Sequence, residues 1–165
     1  LYKIPEECKQ FDAIICEPIG VSGPKFMKVL KHGFKNLLKD PSIIFDEKKQ
    51  TVKLHFDMCH GYGNIDLAID VMHSKDKEDF KKFIYNSISF NPHIVFISKP
   101  NIASRWFSDL FSWLDNCENV IGFKTLKGYE KRLYAYLAER YLSFWFKKYT
   151  NSIDWPLITL DIENI

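Results

Sequence analysis

Long apolar segments and clustered cysteines are both missing from this 165-residue sequence. No apolar run approaches the roughly 20 residues that a helix needs to span a bilayer. The four cysteines, Cys8, Cys16, Cys59 and Cys117, form no CxxC pair and no cysteine–histidine spacing typical of zinc sites. Scattered thiols of this kind are typical of a reducing compartment. We therefore expect a soluble, cytoplasmic protein without a structural zinc ion.

Net charge is nearly absent as well. The formal charge is +2, from 23 basic and 21 acidic residues. The basic residues are spread along the chain, so they do not produce the positive surface that binding to nucleic acid requires. The sequence therefore argues against nucleic acid as a partner.

Hydrophobic and aromatic residues are plentiful, at 46% and 16% of the chain. A chain of this length is expected to form one domain and to bury about two thirds of the surface that it exposes when unfolded. Most of the aromatic rings are then core residues. Some of them could instead stack on a sugar or on a nucleotide base.

The first part of the chain predicts a strand followed by a basic helix. Residues 11–16 form a short apolar run typical of a buried strand, and residues 25–39 have the spacing of an amphipathic helix. Lys28, Lys31 and Lys35 lie on the polar side of that helix. They are either a solvated face or a peripheral contact with the anionic inner face of the cell membrane.

The middle of the chain leaves one alternative open. Residues 42–56 are compatible with a β-hairpin or with a helix in the second half, because the alternation of apolar residues is only partial. Gly61-Tyr62-Gly63 breaks the pattern. Asn64 then has the side chain of a helix cap, for a helix that runs to about residue 74. A second short helix is predicted over residues 76–85.

The second half alternates strands and helices again. Residues 92–98 are apolar, β-branched and bounded by prolines, which predicts a buried strand. Helices are predicted over residues 101–116 and 129–148, and a last strand over 155–160. The apolar face of the first helix would carry Phe107, Leu110, Phe111 and Leu114. These elements predict an α/β fold, or an α+β fold, as a helix-rich layered domain with a small mixed sheet.

Polar side chains cluster around the glycine break. Asp57, His60 and Asn64 suit hydrogen bonding to a polyol, and they equally suit a metal ion or a general base near neutral pH. The structural alternative is that His60 packs the turn. We expect Asp57 and His60 to be catalytic and Asn64 to bind substrate.

Further candidates lie on the long helix and at the predicted strand 92–98. Arg140 lies on a face that is at least partly buried, where an unpaired guanidinium would be very unfavourable. Arg140 and Glu139 therefore form a structural ion pair, or one of them reaches a pyrophosphate or a sugar hydroxyl. Arg132 and Glu139 share a helix face. His93 opens the predicted strand, and strand ends often line sites, although a lone histidine there is more often structural.

Several of these segments, in this order, resemble a bacterial family of glycosyltransferases first catalogued as a domain of unknown function. They are FDAII in the first strand, the segment with His60, the apolar strand that corresponds to NMFIMKK in the family, FSWL at residues 111–114, and RLYAYLAERYLSFWF at residues 132–146. Members occur in gene clusters for capsular polysaccharide, exopolysaccharide and lipopolysaccharide. The likeness runs from about residue 11 to residue 160, and LAER within an aromatic helix is moderately specific.

The resemblance implies a GT-A-like fold and transfer of a sugar from a nucleotide-sugar donor to a glycan or lipid-linked acceptor. It carries over His60, Arg132, Glu139 and Arg140, and with them we group His93 and Asn64 as substrate-binding residues. One departure concerns the apolar strand, where family members have Asn before MFIM. This sequence has Ile94 there, with Asn91 three positions earlier.

The family's preceding nucleotide-binding region has no counterpart in this sequence. We therefore expect residues 1–165 to be a single domain that forms the C-terminal part of a larger glycosyltransferase domain. This part would supply acceptor-side and sugar-contacting residues, and the donor nucleotide would bind elsewhere. No Asp-x-Asp motif is present, so the use of Mn²⁺ or Mg²⁺ stays open. The alternative function is a non-catalytic carbohydrate- or protein-binding module. Metal-dependent hydrolysis through Asp57, His60 and His93 is a weaker hypothesis because no compact ligand spacing exists.

Overall fold

A computed structural model of the chain describes residues 5–21, 33–123 and 126–158. The described strands are β1 (Ala13–Cys16), β2 (Ile19–Gly20), β3 (Ser89–Phe90), β4 (Phe96–Ser98) and β5 (Ser152–Trp155). The described α-helices are α1 (Phe34–Lys39), α2 (Val52–His60), α3 (Asn64–Asp70), α4 (Ser74–Asn86), α5 (Pro100–Ile121) and α6 (Leu133–Tyr149). Short 3-10 turns precede α2 and α6, at Pro41–Ile44, Glu47–Lys49 and Gly128–Arg132.

The main sheet has three strands in the order β4-β1-β5. The central strand β1 runs antiparallel to β4 and parallel to β5, so the sheet is mixed. A second ribbon pairs β2 with β3. The predicted helix-rich fold with a small mixed sheet, in the α/β or α+β class, is therefore confirmed.

Helix α6 is buried along most of its length by the elements that pack around it. Its aromatic residues meet those of α5 and α4, with ring centroids 5.0 Å apart for Tyr141 and Trp113 and 5.2 Å apart for Phe144 and Phe80. Trp113 also donates from its indole nitrogen to the carbonyl of Ala68, at 2.8 Å. Aromatic packing and this hydrogen bond hold α3, α4 and α5 around α6.

The hairpin predicted for residues 42–56 is wrong, and the helical alternative is confirmed for its second half. Two 3-10 turns come first, and α2 then begins at Val52. The hydroxyl of Thr51 accepts from the backbone N–H of Leu54 at 3.4 Å. This side-chain cap explains why the helix starts here, because it satisfies a backbone donor of the first turn.

The buried strand predicted over residues 92–98 is shorter and more exposed than expected. Only Phe96–Ser98 pairs, at an edge of the sheet, and Ile97 is 53% exposed. Pro92 lacks a backbone donor, and His93 has a positive φ of 63°, so the chain turns before it can pair. The last strand lies at Ser152–Trp155 rather than at 155–160, of which residues 159–160 lie outside the described part.

The predicted apolar face of the helix at 101–116 is wrong for two of its members. The helix is longer than expected, and Phe107 and Phe111 are 42% and 56% exposed. Leu110 is buried as predicted. The buried face consists of Trp106, Leu110, Trp113 and Cys117.

Two further predictions concern shorter segments. The helix predicted to start at about Asn64 does begin there, but it ends at Asp70, and the Asn64 side chain does not cap it. The helix predicted over 25–39 is described only as Phe34–Lys39, so Lys28 and Lys31 lie outside the described residues. Among the helices that the structure describes, none is long and apolar enough to cross a membrane.

Candidate functional site

A cleft of about 470 Å³ opens between the C-terminal end of α2, the glycine turn that follows it, and the start of α6. Its volume falls within the range of about 300–1,000 Å³ that is usual for small-molecule sites. Residues that line it and carry chemical groups are Lys35, Asp57, His60, Tyr62, Glu130 and Tyr136. The cleft therefore combines two aromatic phenols and an imidazole with charges of both signs.

The side chains of Asn64 and Asp57 hold the glycine turn in place. Gly61 and Gly63 have φ values of 95° and 85°, which side-chain-bearing residues rarely adopt. The Asn64 amide donates to the His60 carbonyl at 2.9 Å, and an Asp57 carboxylate oxygen accepts from the Gly63 N–H at 3.2 Å. This arrangement ends α2 sharply, so His60 and Tyr62 on either side of Gly61 both reach the cleft.

Two of the residues that line the cleft, His60 and Tyr136, are stacked, and Arg132 lies over the Tyr136 ring. The His60 imidazole lies almost parallel to the Tyr136 ring, with centroids 3.7 Å apart and an interplanar angle of 19°. The Arg132 guanidinium lies over the same Tyr136 ring at 5.2 Å. Arg132 and Tyr136 are four residues apart and therefore share one helix face. The stack brings a titratable ring and a permanent cation against one aromatic residue.

Three lysines contact Tyr62, one of the residues that line the cleft. The ammonium groups of Lys35 and Lys53 lie 5.2 Å and 5.3 Å from its centroid, and Lys39 donates to its hydroxyl at 2.9 Å. The hydrogen bond from Lys39 to Tyr62 raises the pKa of this lysine, which stays a cation. Positive charge is therefore concentrated beside an aromatic face that is 42% exposed.

The carboxylate of Asp57 is occupied by contacts within the fold. Its side chain is 1% exposed and pairs with Lys53, four residues earlier on α2. Lys53 also pairs with Asp66, at 3.1 Å. One Asp57 oxygen accepts from Lys53 and the other from Gly63, so this carboxylate holds the turn below the cleft.

Arg140 and Glu139 lie in a second cluster outside the described lining of the cleft. The Arg140 side chain is 1% exposed, donates to Glu139 at 2.7 Å and lies 3.5 Å above the Phe90 ring. Burial lowers the pKa of Arg140, while the adjacent Glu139 carboxylate opposes that shift. Its Nε has no hydrogen-bond partner among the described residues. The buried guanidinium therefore has a carboxylate partner, Glu139, whose side chain is 17% exposed.

His93 and Asn91 join this second cluster to the sheet. Glu139 accepts from the backbone N–H of His93 at 3.0 Å, while the imidazole of His93 is 60% exposed. The Asn91 amide donates to the Cys16 carbonyl at 2.6 Å and to Asp154 at 3.0 Å, and its backbone N–H donates to Ser143. These bonds connect β1, β5 and α6 through one buried residue, with its side chain bonding the two strands and its backbone N–H bonding the helix.

The structure thus divides the predicted site residues into two groups. Asp57 and His60 line the cleft, Asn64 binds the His60 carbonyl in the turn beside it, and Arg132 contacts the cleft residue Tyr136. The others, Glu139, Arg140 and His93, surround the buried ion pair.

Sequence reasoning missed Tyr62 and Glu130 as cleft residues, and it took Tyr136 for core. A tyrosine between two glycines cannot pack like a helix residue, so Gly61-Tyr62-Gly63 carried a usable signal. Glu130 carried none, because it precedes α6 in a 3-10 turn that the helical pattern conceals.

A metal ion does not fit the side chains that are present. No group of three His, Cys, Asp or Glu residues within 5–21, 33–123 and 126–158 is arranged to bind one. Asp57, the carboxylate beside His60, is already paired with Lys53.

Comparison with known proteins gives one match. The family model described as Domain of unknown function (DUF4422) matches residues 23–151, a range that contains every residue named above as lining the cleft. No curated protein and no solved structure matches the chain. The chain belongs to the DUF4422 family, a domain of unknown function.

Proposed function

We propose that the cleft binds a nucleotide-activated sugar, so that the donor binds in this chain and not elsewhere as the resemblance alone implies. The chain then serves a glycosyltransferase of surface polysaccharide synthesis, with a glycan or lipid-linked acceptor. The observation that carries the proposal is the stacking of His60 on Tyr136, with Arg132 over the same ring, in a cleft that Tyr62 and Lys35 also line. A sugar nucleotide has an apolar C–H face, hydroxyl groups and a diphosphate. The cleft offers a matching group for each of these features.

The two tyrosines supply the aromatic surface. Tyr62 is 42% exposed and lines the cleft together with Tyr136. Rings of this kind pack against the C–H face of a sugar or against a base, while their hydroxyl groups remain available for hydrogen bonds. Glu130 is exposed and lines the same cleft, so its carboxylate can accept hydrogen bonds from sugar hydroxyls.

Positively charged side chains stabilise the diphosphate in this proposal. During transfer the bond between the anomeric carbon and the diphosphate oxygen breaks, and negative charge develops on the departing nucleoside diphosphate. Lys35, which lines the cleft, and Arg132, which lies over the cleft residue Tyr136, are the cations that we assign to this role. A guanidinium can bind two phosphate oxygens at once, and fixed charges beside a leaving group lower the transition-state energy.

His60 is the candidate general base. It lines the cleft, and histidine is the side chain whose ordinary pKa is suited to proton transfer near neutral pH. In the proposed step the acceptor hydroxyl gives its proton to His60 while its oxygen bonds to the anomeric carbon. Asp57, with both oxygens engaged, is proposed to orient the turn that carries His60. Glu139, Arg140 and His93 would then fix the position of α6.

Isothermal titration calorimetry with a panel of nucleotide sugars tests the binding step. We expect one nucleotide sugar to bind, and Arg132→Gln to weaken that binding by about tenfold or more, because a charge-assisted contact is lost. Arg105→Gln is the matched control, since Arg105 also lies over aromatic rings, those of Trp145 and Tyr149. Binding of a glycan without any nucleotide-dependent heat would favour the carbohydrate-binding module instead.

A transfer assay with radiolabelled donor separates the roles of binding and chemistry. His60→Gln should lower the transfer rate by about 10²-fold or more, as loss of a general base does, with a much smaller effect on donor affinity. His73→Gln is the control, because His73 is exposed and contacts Ser112 on another surface. Transfer at an unchanged rate in His60→Gln would remove His60 from the mechanism.

A further inference from the structure

Helix α1 borders the cleft, and none of its side chains is buried. Phe34 and Leu38 are 54% and 69% exposed, although both are large apolar residues. Phe34 and Lys35 also line the cleft. The helix therefore presents apolar side chains to its surroundings directly beside the proposed substrate site.

The side chains of α1 include an apolar row and a cationic row. Phe34 and Leu38 are four residues apart and share one helix face. Lys35 and Lys39 form the neighbouring row, and their ammonium groups lie 5.2 Å and 5.6 Å from the Tyr62 ring centroid. An apolar row flanked by lysines is typical of a helix that lies in the interface of a membrane.

The segment after α1 adds a further apolar side chain. Phe45 follows the 3-10 turn at Pro41–Ile44 and is 87% exposed. Asp40, the acidic residue that follows α1, pairs with Lys49 at 2.7 Å. Before Asp40, the sequence of residues 18–39 contains five lysines and no acidic residue. No carboxylate within that stretch of sequence therefore offsets its positive charge.

A second pair of exposed apolar residues, on α5, has charge of the opposite sign on its face. Phe107 and Phe111 are 42% and 56% exposed and stack on one another. The same face of α5 continues with Asp115 and Glu118, which are both exposed. Lysines are attracted to an anionic lipid surface, and carboxylates are repelled by it. Charge therefore favours α1 over α5 as the contact for anionic lipid.

We propose that α1 and Phe45 dock on an anionic lipid bilayer. Phe34, Leu38 and Phe45 enter the boundary between head groups and acyl chains, and the neighbouring lysine row adds positive charge next to the lipid phosphates. Of the two interpretations of the basic helix, a solvated face or a membrane contact, this proposal selects the second.

Docking through α1 has a consequence for the acceptor. The cleft then lies at the membrane surface, where a lipid-linked acceptor has its head group. This consequence rests on the proposed function, whereas the docking of α1 does not.

The first experiment measures sedimentation of the 165-residue chain with vesicles of phosphatidylcholine, with and without phosphatidylglycerol. We expect binding to the anionic vesicles alone, and weaker binding as salt is added. Leu38→Ser should weaken binding by about tenfold, because a large apolar side chain is lost. Lys39→Gln should weaken it by about fivefold, through one lost charge near the surface. Phe111→Ser is the matched control and should bind like the parent chain.

Three results would overturn the docking of α1. One is equal binding to neutral and anionic vesicles, or binding to neither. Another is a Leu38→Ser variant that binds like the parent chain, with circular dichroism showing that it is folded. The third is a loss in Phe111→Ser as large as the loss in Leu38→Ser. The vesicles contain no sugar, so none of these results depends on the proposed function.

The second experiment compares transfer to a lipid-linked acceptor in anionic vesicles with transfer to a short, soluble acceptor that has the same head group. Leu38 is not among the residues that line the cleft. Leu38→Ser should therefore lower transfer to the vesicle-bound acceptor by about tenfold and leave transfer to the soluble one unchanged. Equal effects on both acceptors would refute the consequence of docking for the acceptor. Absence of transfer to either acceptor by the parent chain would refute the proposed function and leave the vesicle binding intact.

Discussion

The turn that borders the cleft depends on the backbone conformation of Gly61. Its φ of 95° is unfavourable for any residue with a side chain, and a Cβ there would lie 2.5 Å from the Asn64 amide nitrogen. That amide is the group that binds the His60 carbonyl. A side chain at position 61 would therefore strain the backbone and displace the bond that ends α2.

Gly61→Ala should lower the free energy of unfolding by about 2 kcal/mol, through backbone strain and the displaced Asn64 amide. Gly63→Ala is the matched control, since it shares a positive φ of 85° but has open space around the added carbon. Urea denaturation measures both variants. Equal losses would show that the contact with Asn64 contributes nothing.

Arg140 gives a second residue-scale prediction because its guanidinium is almost fully buried. Arg140→Met removes one member of an ion pair and leaves Glu139, at 17% exposure, without its main partner. Breaking such a pair costs about 3 kcal/mol of unfolding free energy. The exposed Arg105→Met should cost about 1 kcal/mol or less, since it loses only contacts with aromatic rings. Chemical denaturation measures the loss of unfolding free energy in both variants. Similar losses would contradict a stabilising buried ion pair.

At the scale of single elements, hydrophobic periodicity alone does not decide which face of α5 is buried. Both of its faces carry large apolar residues, so the helical pattern fits either face. The indole N–H of Trp113 has an acceptor in the Ala68 carbonyl, and its ring packs on Tyr141. Phe111 instead stacks on Phe107 at the surface.

Trp113→Ala should therefore lower the free energy of unfolding by about 3–5 kcal/mol, as expected for removing a fully buried aromatic residue. Phe111→Ala, on the opposite face of the same helix, should change it by about 0.5 kcal/mol or less. Thermal and urea denaturation distinguish the two variants. A larger loss for Phe111→Ala would mean that the predicted face, rather than the observed one, is buried.

The turn after α1 supplies a pH-dependent prediction. Lys49 and Ser42 donate to the Asp40 carboxylate, at 2.7 Å and 2.6 Å, and hold its pKa at about 2, below the ordinary 3.8. Because the pKa is lower in the folded state, the ionised carboxylate contributes stability above pH 3.8, and this contribution is lost as the pH falls towards about 2.

Lys49→Met should raise the pKa of Asp40 towards its ordinary value, which carboxyl NMR titration measures directly. The stability advantage of the parent chain over this variant should be present near neutral pH and should shrink in acid. An unchanged Asp40 titration in the variant would show that Lys49 does not set this pKa.

Local sequence patterns predicted the helices and strands better than they predicted how these elements pair and pack. The strand at residues 11–16 and the long helix that contains Glu139 and Arg140 follow directly from hydrophobic pattern. The hairpin at 42–56 was wrong because the Thr51 cap and the 3-10 turns are weak signals. The pairing of β1 with β5 joins distant parts of the chain, which periodicity does not encode.

At the scale of the whole molecule, the cleft is a product of long-range packing. His60 comes from the end of α2 and Tyr136 from the start of α6, and their rings meet at 3.7 Å because both helices pack into one core. The sequence identified His60, Asp57, Asn64 and Arg132 by chemical type. It could not separate them from Arg140, because only the packing of α6 shows which of its faces meets the cleft.

In our proposal, this cleft binds the donor sugar nucleotide. The most direct measurement is an NMR titration of the labelled chain with the nucleotide sugar that calorimetry selects. We predict shifts of the His60, Tyr62 and Tyr136 ring resonances, with none at His73 on the opposite surface. Saturable shifts confined to residues outside the cleft, with the three rings unchanged, would contradict the account.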